Sequence, residues 1–280
     1  MRFGVTLFPT DQSIDVIELG REVEDRGLDS IWFPEHTHIP IGRRTPPPTG
    51  EEVLAEEYRR CLDPLVALAS VAGATSRLRL GTGIALVSQR EPIVTAKALA
   101  SLDLVSGGRF SLGIGFGWNE DEMEDHGVAY ATRREHARDH VLAMRRLWED
   151  DEASYEGEFV RFPPTWSWPK PVQRPLPVLI GGMAGPKLFS HIAEYAQGWI
   201  PIGGAGLTGA IPMLRDALAA TGRNADDLEI VPFGSIPDQG KLEHFEKIGV
   251  TEVVMRLPSA PRDVVLPILD KHAALVAAHR

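Results

Sequence analysis

The chain lacks the features that several protein classes require. It has one cysteine, Cys61, in 280 residues, so no internal disulfide can form and a reducing compartment is expected. A reactive thiol and a buried, inert cysteine both fit a single Cys61. Basic charge is also scarce. Against 39 acidic residues stand 29 Lys and Arg, a net charge of −10, which argues against the basic face a nucleic-acid partner would need. Long apolar runs are missing too: the opening MRFGVTLFPTDQ reaches Pro9 and Asp11 after a few apolar residues. That is too short for a signal segment or a membrane span, so a cytoplasmic protein without a membrane partner is expected. No serine stands in a Gly-x-Ser-x-Gly elbow, which removes one hydrolase class.

What is present is an ordinary globular balance, 43% hydrophobic and 24% charged. Short β-rich runs alternate with helical patterns from end to end. The runs are Phe3 to Leu7, Ser30 to Phe33, Leu78 to Ile84, Arg109 to Ile114, Val178 to Ile180, Trp199 to Ile202, Glu229 to Phe233 and Val253 to Leu257. Helical spacing follows each one, as in Val16, Leu19, Gly20 and Val23, or Val141, Met144, Leu147 and Trp148. Asp63-Pro64 carries the cap-then-proline signature of a helix start. Near-continuous apolar strands such as Val178-Leu179-Ile180 suit parallel strands buried on both faces. Eight strand-helix units close naturally into a (β/α)8 TIM barrel. The reading is one α/β domain over residues 1–280, with insertions after strand two and before strand five. An open doubly wound sheet would place a glycine-rich nucleotide turn after its first strand. The chain has Phe8-Pro9-Thr10-Asp11 there.

In a barrel, function sits at the C-terminal strand ends. Those ends supply Glu35, His36 and Arg256 amid glycines and aromatic residues. His36-Thr37-His38 has the His-x-His spacing of barrel metal sites, but the ends of strands five and six offer no further ligand, so no metal is expected. GGMAGPK, residues 181 to 187, puts glycines, Pro186 and Lys187 at a strand-to-helix junction. It suits a phosphate on free N–H groups, and equally a plain turn. The fallback for the same role is Gly203-Gly204.

The stretch GGRFSLGIGFGWNEDE, residues 107 to 122, resembles a dinucleotide fingerprint but has Trp118 in place of the third glycine. Asn119 with Glu122 reads as a capping box, and the carboxylates that follow would repel an anion. The glycines must admit something close to the backbone that is not an anion.

Several segments together resemble the bacterial luciferase-like oxidoreductases, in the branch that uses a 5-deazaflavin coenzyme. They are GLDSIWFPEH (27 to 36), SRLRLGTGIALVSQREP (76 to 92), LASLDLVSGGRFSLGIGFGWNEDE (99 to 122), FPPTWSWPKPVQRPLPVLIGG (162 to 182) and YAQGWIPIGG (195 to 204). The resemblance implies a barrel, often a homodimer, with a flavin-type ring over strand ends three and four. It implies the family's non-proline cis peptide at Ile84-Ala85 or one residue to either side. It places Glu35 and His36 on the family's acid-His pair as the catalytic residues. Cofactor contacts fall on Ile84, Ala85, Gly115, Gly117, Trp118, Ile180, Gly181, Gly182 and Trp199, with the ring lying against Gly115 and Gly117 and its phosphate on Gly181-Gly182. One departure matters: Trp118 stands where the family's sugar-phosphate dehydrogenases carry a glutamate. No cluster of cations for a phosphorylated substrate surrounds Arg256.

The expected activity is hydride transfer between the deazaflavin coenzyme F420 and a small organic substrate, with His36 moving the proton. The alternatives are an FMN-dependent monooxygenase and a cofactor-binding barrel without catalysis. The two insertions, His36 to Arg60 with Arg43, Arg44 and Pro46-Pro47-Pro48, and 155 to 175 with Trp166 and Trp168, are expected to roof an apolar cleft. A mobile surface loop fits the first insertion equally well.

Overall fold

The computed structural model describes residues 1–46 and 53–280. In chain order the elements are β1 (Arg2–Thr6), α1 (Val16–Asp25), β2 (Ser30–Phe33), α2 (Glu57–Arg60), α3 (Pro64–Ala74), β3 (Arg79–Thr82), α4 (Pro92–Ser106), β4 (Phe110–Ile114), α5 (Glu120–Asp125) and α6 (Arg133–Glu149). There follow β5 (Ala153–Glu156), β6 (Arg161–Thr165), β7 (Val178–Gly181), α7 (Pro186–Tyr195), β8 (Gly198–Ile200), α8 (Leu207–Ala220), β9 (Glu229–Ile230), β10 (Phe233–Ser235), α9 (Gln239–Ile248), β11 (Glu252–Arg256) and α10 (Arg262–His279).

The sheet runs β10-β11-β1-β2-β3-β4-β7-β8-β9, all parallel. Its two end strands are halves of one segment. Pro232 sits between β9 and β10 and has no N–H to donate, so the ladder breaks there. Val231 N still donates to Trp199 O (2.9 Å), while Val254 N donates to Pro232 O (3.0 Å). The segment therefore joins β8 to β11 and closes the sheet into a barrel of eight strand positions. The sequence reading holds, with strand seven split.

Side chains alternate across the barrel wall. Trp32, Leu179, Ile200, Val231 and Val254 pack together in the lumen, with Ile84 and Phe233 against them. Their neighbours Ile31, Phe33, Ile180, Trp199, Ile230, Val253 and Met255 join the larger core shared with the helices. Glu252 seals the N-terminal end, accepting from Trp32 Nε1 (2.8 Å) and Arg2 Nε (2.9 Å).

The insertion before β7 is not structure-poor, and it does not roof the barrel mouth. It contains the antiparallel pair β5–β6, held on α6 by Asp139. That buried carboxylate accepts from Tyr155 Oη (2.6 Å), Phe159 N (2.7 Å) and Val160 N (2.9 Å). Lys170 Nζ then reaches Leu147 O (2.8 Å), and Gln173 reaches Asp103 and Phe110 O. These anchors lie along α6 and beside the starts of the strands, opposite the mouth. The first insertion differs, as the site shows. Pro47 and Pro48 lie outside the described residues.

Among the described residues, no helix is long and apolar enough to cross a membrane.

Candidate active site

The C-terminal end of β3 is bent inward by its contacts with β4. Thr82 Oγ1 donates to Gly113 O (2.7 Å), Ala85 N donates to Gly113 O (2.7 Å), and Gly115 N donates to Ala85 O (3.1 Å). The non-proline cis peptide is Gly83-Ile84, one residue before the central expectation and within its stated range. A Cβ on Gly115 would lie 2.5 Å from Ile84 Cδ1, and one on Gly181 would lie 2.8 Å from Ile84 Cγ2. Close approach is what these glycines allow. They admit the Ile84 side chain, however, rather than leaving an open cradle. Gly117 has φ +74°, and its missing Cβ makes room for Met123. The structure thus brings Ile84, Ala85, Gly115 and Gly181 together, with the Ile84 side chain filling the space that the two glycines leave.

Glu35 and His36, adjacent in sequence, turn to different partners. Glu35 is buried; its carboxylate accepts from Leu86 N (2.7 Å) and Arg90 Nε (2.6 Å). Burial works against the charge of Arg90, but Glu35 and Asp63 outweigh it and hold its pKa above the ordinary value. Glu35 is therefore tied to the segment that carries Ile84 and Ala85.

His36 lies among aromatic rings. Its centroid is 5.2 Å from Tyr58, 5.7 Å from Trp118 and 6.5 Å from Phe8, the last pair stacked at 12°. These rings come from the ends of β1 and β4 and, through Tyr58, from the first insertion. His36 Nδ1 lies 2.7 Å from Glu122 Oε2, whereas Nε2 makes no hydrogen bond among the described residues. Sequence reasoning missed Glu122, having paired it with Asn119. The capping box does not form: Asn119 is buried with neither amide atom partnered, and Glu122 faces β2 instead. A carboxylate three places after a cap carries a strong local signal, and that signal concealed a partner 86 residues away.

The rest of α5 fastens the same insertion. Asp121 accepts from Arg44 N (2.7 Å) and Arg44 Nε (2.7 Å), Glu124 from Arg44 Nη2 (2.6 Å), and Asp125 lies 3.0 Å from His38 Nε2. His38 thus turns away from His36. Among the described residues no group of three or more His, Cys, Asp or Glu gathers as a metal site. A groove of about 600 Å³ opens beside α5, lined by Glu120, Glu124, Val128 and Tyr130 among others; none of the expected site residues lines it. Burial pushes the Cys61 thiol up to about 12, which disfavours the nucleophilic thiolate at neutral pH.

The other side of the mouth is built without carboxylates. Helices α1, α3, α4 and α9 start on Asp15, Asp63, Glu91 and Asp238, whose side chains accept from first-turn N–H groups. Helices α6 and α10 carry Glu135 and Asp263 in their first turns. Helices α7 and α8 have neither device: each starts on a glycine, Gly185 or Gly206, with no acidic residue in the first turn. The N–H groups of Met183, Ala184, Gly185 and Lys187 make no hydrogen bond among the described residues. Free N–H groups at a helix start bind anions, and the helix dipole adds to the pull. Trp199 backs this turn from the helix side, its Nε1 donating to Gly182 O (2.9 Å). Trp199 and Ile180 are both buried in the outer core, so Trp199 reaches a ligand only through the turn it supports.

The luciferase-like monooxygenase family matches residues 1–236. An uncharacterized protein of Mycobacterium tuberculosis is 41% identical over 280 residues, covering 99% of each chain. An F420-dependent glucose-6-phosphate dehydrogenase of Kineococcus radiotolerans is 29% identical over 220 residues, covering 74% of this chain and 59% of that protein. Among solved structures, an F420-dependent secondary alcohol dehydrogenase in complex with an F420-acetone adduct has a TM-score of 0.80 at 17% identity, covering 100% of both chains; that likeness is one of fold. With its closed barrel, its ring-lined His36 and a match over most of its length, the chain belongs to the luciferase-like monooxygenase family.

Proposed function

We propose that the protein is an oxidoreductase that binds coenzyme F420 at the barrel mouth and moves hydride between it and a small, uncharged organic substrate. The observation that carries this reading is the pair of helix starts at α7 and α8, which lack both side-chain caps and first-turn carboxylates. They fit the phosphate of a bound cofactor. The N–H groups of Met183, Ala184 and Gly185 would hold it, Gly182 N being already given to Ile200 O (3.3 Å), and Ile84 would support the ring. When bound, such a cofactor supplies or accepts the hydride. Lys187 lies on the same turn.

His36 exchanges the proton that accompanies hydride transfer at a carbon–oxygen bond, through its free Nε2. Glu35, committed to Arg90 and Leu86 N, positions the Ile84-Ala85 segment instead of exchanging a proton. Trp118, with Tyr58 and Phe8, makes an apolar wall around His36, which favours a neutral substrate over a sugar phosphate. A homodimer fits as well: Val66, Val94 and Val105, 66–69% exposed, lie on α3 and α4, which pack together. Nothing in the charge of −10 invites a nucleic-acid partner.

Fluorescence titration of the purified chain with F420 and with FMN tests the reading. Saturable binding of F420 in preference to FMN is the expected result. Preference for FMN would move the assignment to a flavin-dependent monooxygenase. Binding of neither would end it.

A further inference from the structure

Glu122 has left the work that its position in α5 suggests. It stands three residues after Asn119, where it would normally reach back to cap its own helix. Its carboxylate is 1% exposed and faces the loop after β2. There Oε1 accepts from Thr37 N (3.0 Å) and lies 3.4 Å from Thr37 Oγ1, while Oε2 lies 2.7 Å from His36 Nδ1. We propose that Glu122 is the positioning residue for His36, fixing the imidazole in the tautomer with the proton on Nδ1 and leaving Nε2 bare at the barrel mouth. The consequence for turnover rests on the reading of His36 as proton carrier; the tautomer itself does not.

An ionised carboxylate can only accept hydrogen bonds. Oε1 already accepts from the Thr37 N–H, which leaves Oε2 to face the ring. A ring nitrogen that close to such an oxygen must therefore be the donor, and the neutral imidazole keeps its lone pair on Nε2. Orientation is held independently. Phe8 stacks on the ring at 12°, Tyr58 and Trp118 flank it, and Arg44 pins the loop through Asp121 and Glu124. When Nε2 takes a proton, the resulting imidazolium faces a carboxylate across Nδ1, so the new charge is matched where it forms. The same division of labour operates in a Ser-His-Asp triad, where substituting the carboxylate by its amide leaves the wrong tautomer and lowers kcat by about 10⁴.

The Thr37 N–H also makes the outcome of a substitution definite. In Glu122→Gln that donor must face the amide oxygen, which turns the amide NH₂ toward His36 Nδ1. Nδ1 then becomes the acceptor, and the proton of the neutral ring moves to Nε2. Long-range ¹H–¹⁵N correlation on labelled protein reads this directly, with His36 assigned by its loss in His36→Gln.

The expected result is an Nδ1–H ring in the wild type and in Glu122→Asp, and an Nε2–H ring in Glu122→Gln. Turnover in Glu122→Gln should fall by at least about 10²-fold, the usual lower contribution of a placed acid-base group, with cofactor affinity unchanged. An Nε2–H ring in the wild type overturns the proposal, and so does an unchanged tautomer in a folded Glu122→Gln. If Glu122→Gln does not fold, the wild-type tautomer and Glu122→Asp decide. An inverted tautomer with normal turnover supports the positioning and removes the proton-transfer role of His36.

Discussion

The two sides of the barrel mouth are built from opposite electrostatics. On the β2–β4 side, α5 is six residues long and five of them are carboxylates. Four of those acids tie down the segment from His36 to Thr45. On the β7–β8 side, two consecutive helices start on glycine with no acid in the first turn. An anion is excluded from the first side by like charge and drawn to the second by free N–H groups. On the proposed reading, a cofactor with a phosphorylated tail and a reactive ring would lie with its tail toward α7 and its reactive end toward His36. The difference separates binding from chemistry. Substitutions on one side should change rates, and those on the other should change affinities.

The largest effect should come from the reactive side. His36→Gln removes the titrating ring while keeping a polar side chain of similar reach. Single-turnover rates with bound cofactor should fall about 10²–10⁴-fold, with the cofactor dissociation constant unchanged. A loss within about tenfold, with the same pH profile, would leave His36 only orienting its neighbours.

A smaller effect with a diagnostic sign belongs to the other side. Lys187→Glu gives α7 the first-turn carboxylate that its sequence omits. It should weaken cofactor binding by about tenfold or more, roughly 1.4 kcal/mol, with the single-turnover rate at saturation unchanged. In the cofactor-free protein the same change should raise stability, since an acid at a helix start is favourable by about 0.3–1 kcal/mol. Calorimetry of the free protein and fluorescence titration together check both signs. If affinity does not move, the phosphate lies elsewhere.

This division was partly legible in the sequence. Parallel strands showed as apolar runs, and Asp63-Pro64 placed α3 to the residue. Both are local signals, and the barrel follows from repeating them. The hairpin β5–β6 was hidden because its second strand contains Pro163 and Pro164, tolerable at a sheet edge but written like a loop. The split of the seventh strand was hidden by a single proline. In the site, Gly115 and Gly117 after β4 read in the sequence as room for a ligand, whereas their room is taken by Ile84 and Met123. By local chemistry Glu122 goes to its nearest partner, Asn119; in the fold it belongs to the distant His36. Local chemistry identified the residues that matter here; only the fold could say which of them touch.

The smallest effect expected is on stability against pH, and it also tells the two sides apart. His140 on α6 lies behind the reactive side, 7% exposed, with Nδ1 2.9 Å from Val87 O. His191 on α7 lies behind the anion side and is only half-buried. Burial lowers the pKa of both from the ordinary 6.5. For His140 the Val87 carbonyl, Asp139 and Glu91 oppose burial without overcoming it. For His191, Arg134 adds to burial against Glu194 and Glu135. The folded protein therefore binds fewer protons than the unfolded chain between each lowered value and 6.5. That stability is complete above about 6.5 and is lost as the pH falls through the lowered pKa, with a slope of at most about 1.4 kcal/mol per pH unit for each histidine. His140→Gln can keep the bond to Val87 O through its amide and removes the titration, so it should flatten the acid side of a denaturation-midpoint curve. His191→Gln should flatten it less, because a half-buried ring loses less hydration on folding. Equal flattening, or more in His191→Gln, would mean that acid opens the anion side first.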